Sequence, residues 1–181
     1  IAIENVRLFE EVQARTRDLT ESLEQQTATS EVLGAISSSL EQLDPLFQKI
    51  LENAVRVCGA KFGTMNLYDG ERFAFVAGHN VPREYAETHL NKPFVPHPEG
   101  GLGTVATTRR SVHIKDIRTQ EPYLEGNPAV VAISDLAGAR TIAIVPMLKD
   151  DSLVGTLAIY RQEVSPFTEK QITLLGNFAK Q

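Results

Sequence analysis

Tryptophan is absent from this chain, and cysteine occurs once, as Cys58. A single cysteine excludes an internal disulfide and any CxxC redox or metal motif, which points to a reducing compartment and predicts a cytoplasmic location. No apolar run approaches the ~20 residues that a membrane helix needs, so no membrane insertion is expected of this segment. No secretory leader pattern is visible either, and the first residue, Ile1, reads as a start cut from a longer polypeptide. Positive charge is not in excess: 18 Lys and Arg stand against 23 Asp and Glu, a net charge of −5, and basic pairs such as Arg109-Arg110 are isolated. Nucleic-acid binding needs clustered cations that release counterions, so nucleic acid is not an expected partner.

Catalytic signatures are missing as well. There is no GxSxG elbow, phosphate-binding loop, HExxH or dinucleotide fingerprint, and Gly101-Leu102-Gly103 is too short to be one. His79, His89, His97 and His113 show no i,i+3 or i,i+4 pair, so no metal site and no cofactor are expected. What remains is ordinary globular material, 42% hydrophobic and 23% charged, in which a real core can form. The fragment is not expected to be an enzyme.

Residues 1–40 hold one glycine, Gly34, and no proline, and are rich in Glu, Gln, Arg, Ser and Thr. They read as one long exposed helix. A heptad frame places Phe9 and Leu23 at a, and Val12, Leu19 and Leu33 at d. The other seam positions, Asn5, Thr16, Gln26 and Ser30, are polar, so a weak coiled coil is expected, pairing two copies of the chain. Asp44-Pro45 reads as the start of a second helix, with Asp as N-cap and Pro at N1. Phe47, Ile50, Leu51, Ala54, Val55 and Cys58 give that helix one apolar face, and Gly59 stops it.

Beyond residue 61 the pattern changes. Residues 62–68 read as a strand, Asp69-Gly70 as a hairpin turn and 72–77 as the partner strand. Short helices are expected over 82–90, 102–109 and 128–136, the last capped by Asn127. Residues 94–103 read as a loop, 112–114 as a short strand and 115–127 as a polar connection. A second hairpin is expected over 141–161, then a final helix whose Thr168 and Gln171 fit a capping box. Strands and helices do not alternate regularly, so the fold class is α+β, an antiparallel sheet flanked by helices.

The strand at 62–69 ending in Asp-Gly, Gly101-Leu-Gly-Thr-Val-Ala106, Val112-His-Ile-Lys-Asp116, the strands at 140–146 and 153–157, and Phe167-Thr168 with Ile172 and Leu175 resemble the GAF domain family in order and spacing. The resemblance covers residues 44–181, with a domain taken as 41–181 behind a signalling helix at 1–40. It implies a cytoplasmic sensory or regulatory module that binds a small molecule and relays a signal through dimeric helices to neighbouring domains. Ile1 to Glu10 resembles the helix that leaves such a domain, which implies a tandem array like the sensory half of a bacterial two-component histidine kinase. Two alternatives stay open: the input domain of a nucleotide cyclase, and a purely structural dimerisation spacer.

Several activities known on this fold are not implied. Methionine sulfoxide reduction needs a second thiol, and covalent bilin attachment needs a loop cysteine, where Cys58 lies in a helix. Asn91-Lys92 matches part of a cyclic-nucleotide signature, but no Phe-x-x-x-Asp-Glu follows. By place in the family pattern, the implied ligand-binding residues are Thr64, Gly78, His79, Gly101, Leu102, Tyr123, Asn127 and Asp135. The pocket is expected between the sheet and residues 94–136, walled by Tyr123 and floored by the start of the 101–109 helix. A helix start there favours an anionic or carbonyl-bearing ligand.

Overall fold

The computed structural model describes the backbone of residues 2–180 and the side chains of residues 4–20 and 43–180. The chain divides into two compact units, residues 1–43 and 44–181. Helix α1, Ala2–Val57, begins in the first and ends in the second. In the first unit every described side chain from 4 to 20 is exposed. The helix there is supported by local contacts, such as Arg15 to Glu11 at 3.1 Å and the Thr16 hydroxyl donating to the Val12 carbonyl. Leu23 and Leu33 lie outside the residues whose side chains are described.

The expected break at Asp44-Pro45 does not occur: α1 runs through Pro45. A proline inside a helix removes one N–H and crowds the carbonyl four residues earlier, which costs about 3 kcal/mol. In the second unit Leu51, Ala54, Val55 and Cys58 are buried, and that burial outweighs one missing hydrogen bond. The proline still marks a boundary, because the two units divide one residue before it.

The second unit is built on one six-stranded sheet. Strands β1 (Phe62–Tyr68) and β2 (Phe73–His79) form the first hairpin. The Asp69 carboxylate closes its turn by accepting from the Glu71 and Arg72 N–H groups at 2.9 and 2.7 Å. Helix α2 (Arg83–His89) leads into β3, the two residues Pro93 and Phe94 at the sheet edge, in a stretch that sequence alone reads as loop. Helix α3 (Gly101–Thr108) and β4 (Val112–Ile114) follow. The expected polar connection contains a 3-10 turn at Ile117–Thr119 and the single-turn α4 (Glu121–Leu124). Helix α5 (Pro128–Asp135) is capped by Asn127, whose side chain accepts from the Val130 N–H.

Strands β5 (Thr141–Lys149) and β6 (Ser152–Arg161) form the second hairpin. Asp150 and Asp151 both have positive φ, as a two-residue turn matched to strand twist requires. Helix α6 (Glu169–Phe178) opens with the capping box of Thr168 and Gln171. The strand order is β3-β2-β1-β6-β5-β4, antiparallel throughout, so the α+β architecture is the one expected.

Alternation along the strands gives the sheet two different faces. One face carries Met65, Ala143, Val145, Leu157 and Ile159, all nearly inaccessible. The last turns of α1 pack on it. A Cβ on Gly63 would lie 2.8 Å from Val55 Cγ2 and 3.2 Å from Leu51 Cδ2, so glycine permits that approach. Helix α6 packs beside it, with Gln171 Nε2 donating to the Cys58 carbonyl at 2.8 Å and Cys58 Sγ donating back to the Gln171 carbonyl at 3.4 Å. Cys58 is a buried core residue, and burial pushes its thiol pKa up, away from reactive thiolate. The opposite face lies under α2 to α5 and holds the candidate site.

Candidate ligand-binding site

The site starts from a row across three strands. Thr64 of β1 stands opposite Ala158 of β6, which stands opposite Ile144 of β5. Opposed residues point to the same side, and the small Ala158 between two larger neighbours leaves room above it. A pocket of about 90 Å³ occupies that room. Its sheet floor also takes Asn66 and Ile142, and its edge takes Ile114.

The cover comes from four segments. Helix α2 contributes Tyr85 and His89, one turn apart, their rings stacked with centroids 4.5 Å apart. Strand β3 and the loop after it contribute Phe94, Pro96 and His97. The start of α3 contributes Gly100 to Gly103, and α5 contributes Ala129, Val130 and Ile133. The loop folds tightly against α3 because residue 103 has no side chain: a Cβ there would lie 2.1 Å from the His97 carbonyl oxygen and 2.8 Å from that of Pro98.

The lining is mainly apolar, with a few polar groups set into it. Thr64 and Asn66 are only 3% and 6% exposed. Asn66 Nδ2 donates to the Thr156 hydroxyl at 3.4 Å, a long bond. Tyr85 is 7% exposed, and burial pushes its pKa up to about 12, so its hydroxyl keeps its proton. Among the described residues, no hydrogen bond uses the hydroxyl of Thr64 or Tyr85; the bond at Tyr85 is one its backbone carbonyl accepts from His89 Nδ1 at 3.1 Å. No side chain caps α3, so the N–H groups of its first turn are left without the partner that a Ser or Asp at position 100 would supply.

Charge is sparse. Among the described residues that line the pocket there is no Lys, Arg, Asp or Glu. His97 sets Nε2 3.5 Å from a Glu125 carboxylate oxygen, so positive charge on that ring has a counter-ion outside the pocket. Bringing a full charge into such a lining costs several kcal/mol of lost hydration. A helix N-terminus returns ~0.3–1 kcal/mol, rising to ~2 kcal/mol in a favourable buried geometry.

Of the residues proposed by family position, Thr64, Gly101 and Leu102 line this pocket. Tyr123, Asn127 and Asp135 do not; they hold the cover in place. The Tyr123 hydroxyl donates to Asp135 Oδ1 at 3.1 Å, and Arg118 donates to the same oxygen at 3.3 Å and to the buried Ser134 hydroxyl at 3.2 Å. Nearby, Arg140 grips both Asp116 oxygens at 2.9 and 2.7 Å, and that hydrogen-bonded pairing holds the Asp116 carboxyl below its ordinary pKa. The expected Tyr123 wall is therefore corrected: its hydroxyl is drawn to Asp135 across α4 and α5. Gly78 sits opposite Thr64 on β2, but a Cβ there would lie 2.7 Å from Val81 Cγ2 and 2.8 Å from the Phe75 ring, and neither Gly78 nor His79 lines the pocket. Tyr85, His89 and His97 are lining residues that sequence reasoning missed. The available signal was the Tyr-x-x-x-His spacing, which puts both rings on one face of a helix.

Among the described residues no group of His, Cys, Asp and Glu is arranged to hold a metal ion, and no helix is long and apolar enough to cross a membrane. Comparison with known proteins bears on the fold. No curated protein matches the chain. Among solved structures it is similar to the GAF domain/HD domain protein from Geobacter sulfurreducens, at 16% identity and a TM-score of 0.62, over 78% of this chain and 92% of that one. It is similar to a domain of a putative two-component sensor histidine kinase protein from Sinorhizobium meliloti 1021, at 12% identity and a TM-score of 0.58, over 76% and 85%. A third likeness is the GAF-B domain of DevS from Mycobacterium smegmatis, at 16% identity and a TM-score of 0.55, over 75% and 86%. The sequence model of the GAF domain matches residues 41–181, and with the sheet order and pocket described above the chain belongs to the GAF domain family.

Proposed function

We propose that this chain is a sensory GAF module of a cytoplasmic signalling protein. A small molecule held over the Thr64–Ala158–Ile144 row alters the packing of the domain. The change passes through helices, in a homodimer, to an output domain of the same polypeptide, a histidine kinase in the preferred reading. The observation that carries the proposal is the pocket itself: an apolar space lined by Thr64 and Tyr85, largely buried residues whose hydroxyls make no hydrogen bond among the described residues. Packing alone gives no reason to keep such groups. The likeness to a sensor-kinase domain supports the choice of output.

Pairing through α1 is part of the same proposal. Phe9, Val12 and Leu19 follow the heptad and are 64%, 60% and 65% exposed in the single chain. Fully burying each at a seam contributes ~1.5–3 kcal/mol, enough to offset polar neighbours such as Thr16. A ligand moves such an equilibrium only by its differential affinity for two arrangements.

The test uses the dimer as its readout. Sedimentation should show a dimer, and joint Val12→Lys and Leu19→Lys substitution should weaken it. A spin label on Ala14→Cys, with Cys58 buried and unreactive, should then report a changed inter-helix distance when Ala129→Leu fills the pocket from α5. An unchanged distance distribution would leave the dimerisation-spacer reading in place.

A further inference from the structure

Resting on that sensory reading, we propose that the ligand is a compact uncharged molecule: a short branched aliphatic body bearing one oxygen that accepts hydrogen bonds from the hydroxyls of Thr64 and Tyr85.

Size comes first. An engineered apolar cavity of about 150 Å³ is known to hold benzene. The space here is about 90 Å³, so the body is smaller than an aromatic ring, about four to six heavy atoms. A purine or a cyclic nucleotide is larger than that space. Shape follows from the walls. Ile144, Ile142, Ile133 and Val130 are β-branched, and they surround the space from both layers. A branched aliphatic group fills such a site better than a flat one.

Charge decides the head group. The lining has no fixed cation among its described residues, and His97 is already directed at Glu125. The first turn of α3 offers N–H groups, which suit an oxygen of either charge state. A carboxylate there would lose its hydration without a partner charge, whereas an amide, ketone or alcohol oxygen loses much less.

The hydroxyls identify the contact. Thr64 and Tyr85 are each more than nine-tenths buried, both line the pocket, and neither hydroxyl makes a hydrogen bond among the described residues. Tyr85 remains a proton donor at every physiological pH because burial holds its pKa near 12. Val and Phe would fill the same volumes without an unpartnered polar group, and in the absence of ligand they are the more stable choices. Tyr160 makes a useful control. Its hydroxyl is fully enclosed and has no partner among the described residues, but Tyr160 does not line the pocket.

The experiment titrates the full chain with four probes of matched size, isobutyramide, isobutanol, isobutyrate and nitrate, followed by calorimetry and thermal melting. The amide and the alcohol should bind saturably, with isobutyrate at least tenfold weaker and nitrate silent. Thr64→Val and Tyr85→Phe should each weaken isobutyramide by about two- to tenfold, as loss of one hydrogen bond does. Both should melt at or above the unaltered protein without ligand. Tyr160→Phe should leave binding unchanged. Isobutyrate or nitrate binding as tightly as the amide overturns the uncharged class and leaves the sensory reading standing. Unchanged affinity in both hydroxyl variants, or silence of all four probes, also overturns it. The label distances at position 14 then decide the sensory reading separately.

Discussion

The two faces of the sheet are made by the same strands and obey opposite rules. On the helix face, Leu51 and Ala54 of α1, Cys58 just after it, Leu175 of α6, and Leu157 and Ile159 of β6 each have essentially no exposed surface. Its polar contacts close on themselves, as between Gln171 and Cys58. On the pocket face the floor is lowered by Ala158, the cover is assembled from four separate segments, and the hydroxyls of Thr64, Tyr85 and Tyr160 have no hydrogen-bond partner among the described residues. Alternation along a strand lets one side be optimised for packing while the other retains room and polarity.

The sharpest way to break that contrast is to remove comparable side chains from the two faces. Leu157→Ala, in the middle of β6 on the helix face, should destabilise by about 2–5 kcal/mol, because the surrounding core cannot collapse into the gap. Ile133→Ala, on the cover over the pocket, should cost about 1 kcal/mol or less, because its side chain already borders open space. Urea unfolding of the two variants measures the difference. Equal losses would mean that the pocket face is packed as tightly as its counterpart.

The cover can be tested next, at its tightest point. Gly103→Ala places a Cβ against two backbone carbonyls of the 97–98 turn, neither of which is the end of a flexible side chain. It should cost about 1–3 kcal/mol, as overpacking does, and should disturb the loop that carries His97. Loss of ligand affinity together with stability would tie the turn to the pocket. A neutral substitution would show that residues 97–100 move freely and do not define the site.

How far the sequence reveals these features depends on the range of the interaction involved. The Asp69-Gly70 turn, the Thr168–Gln171 box and the Asn127 cap are legible because each is settled within about four residues. Thr64, Gly101 and Leu102 are legible as pocket positions for a related reason: strand alternation and the helix start fix where they face. Tyr123 and Asp135 are not, because their direction depends on Arg118, which reaches Asp135 across 17 positions. Tyr85 and His89 are missed because nothing within α2 reveals that its aromatic side covers Thr64. Pro45 misleads in the other direction, since the local rule that proline opens a helix yields to the burial of Leu51, Ala54 and Val55.

A smaller effect separates enclosed polarity from functional polarity. Tyr160 is the one described residue with a fully enclosed side-chain polar atom lacking a partner, and burial pushes its pKa far above the ordinary tyrosine value. Its ring stacks on Phe62 at 5.0 Å, a contact that phenylalanine preserves. Tyr160→Phe should therefore raise stability by up to about 1 kcal/mol, seen as a higher urea midpoint. A loss of stability would mean that the hydroxyl has a partner in solution, and the contrast between the faces would then rest on Thr64 and Tyr85 alone.

The smallest expected effect probes the edge of the helix face. His113 lies on β4, and its Nε2 accepts the Phe167 N–H at 3.1 Å where the chain turns into α6. Only the neutral ring can accept there. Burial lowers its pKa first, and the charges of Lys115 and Arg161 lower it further. The folded pKa thus lies below the unfolded value of about 6.5. The contribution of the neutral ring is complete above that unfolded value. It falls as pH drops below it, because the unfolded chain takes up the proton first, and it is lost once pH passes the folded pKa. Asp69 and Asp116 also have lowered values, but their contributions are lost only at more acid pH, below the ordinary carboxylate range of about 4. The urea midpoint should therefore decline modestly between pH 7 and pH 5, and His113→Gln, which keeps an acceptor but cannot titrate, should flatten that decline. An unchanged slope in the variant would show that the turn into α6 is held by Phe167 and the Arg161 guanidinium stacked 4.2 Å above its ring, and not by the imidazole.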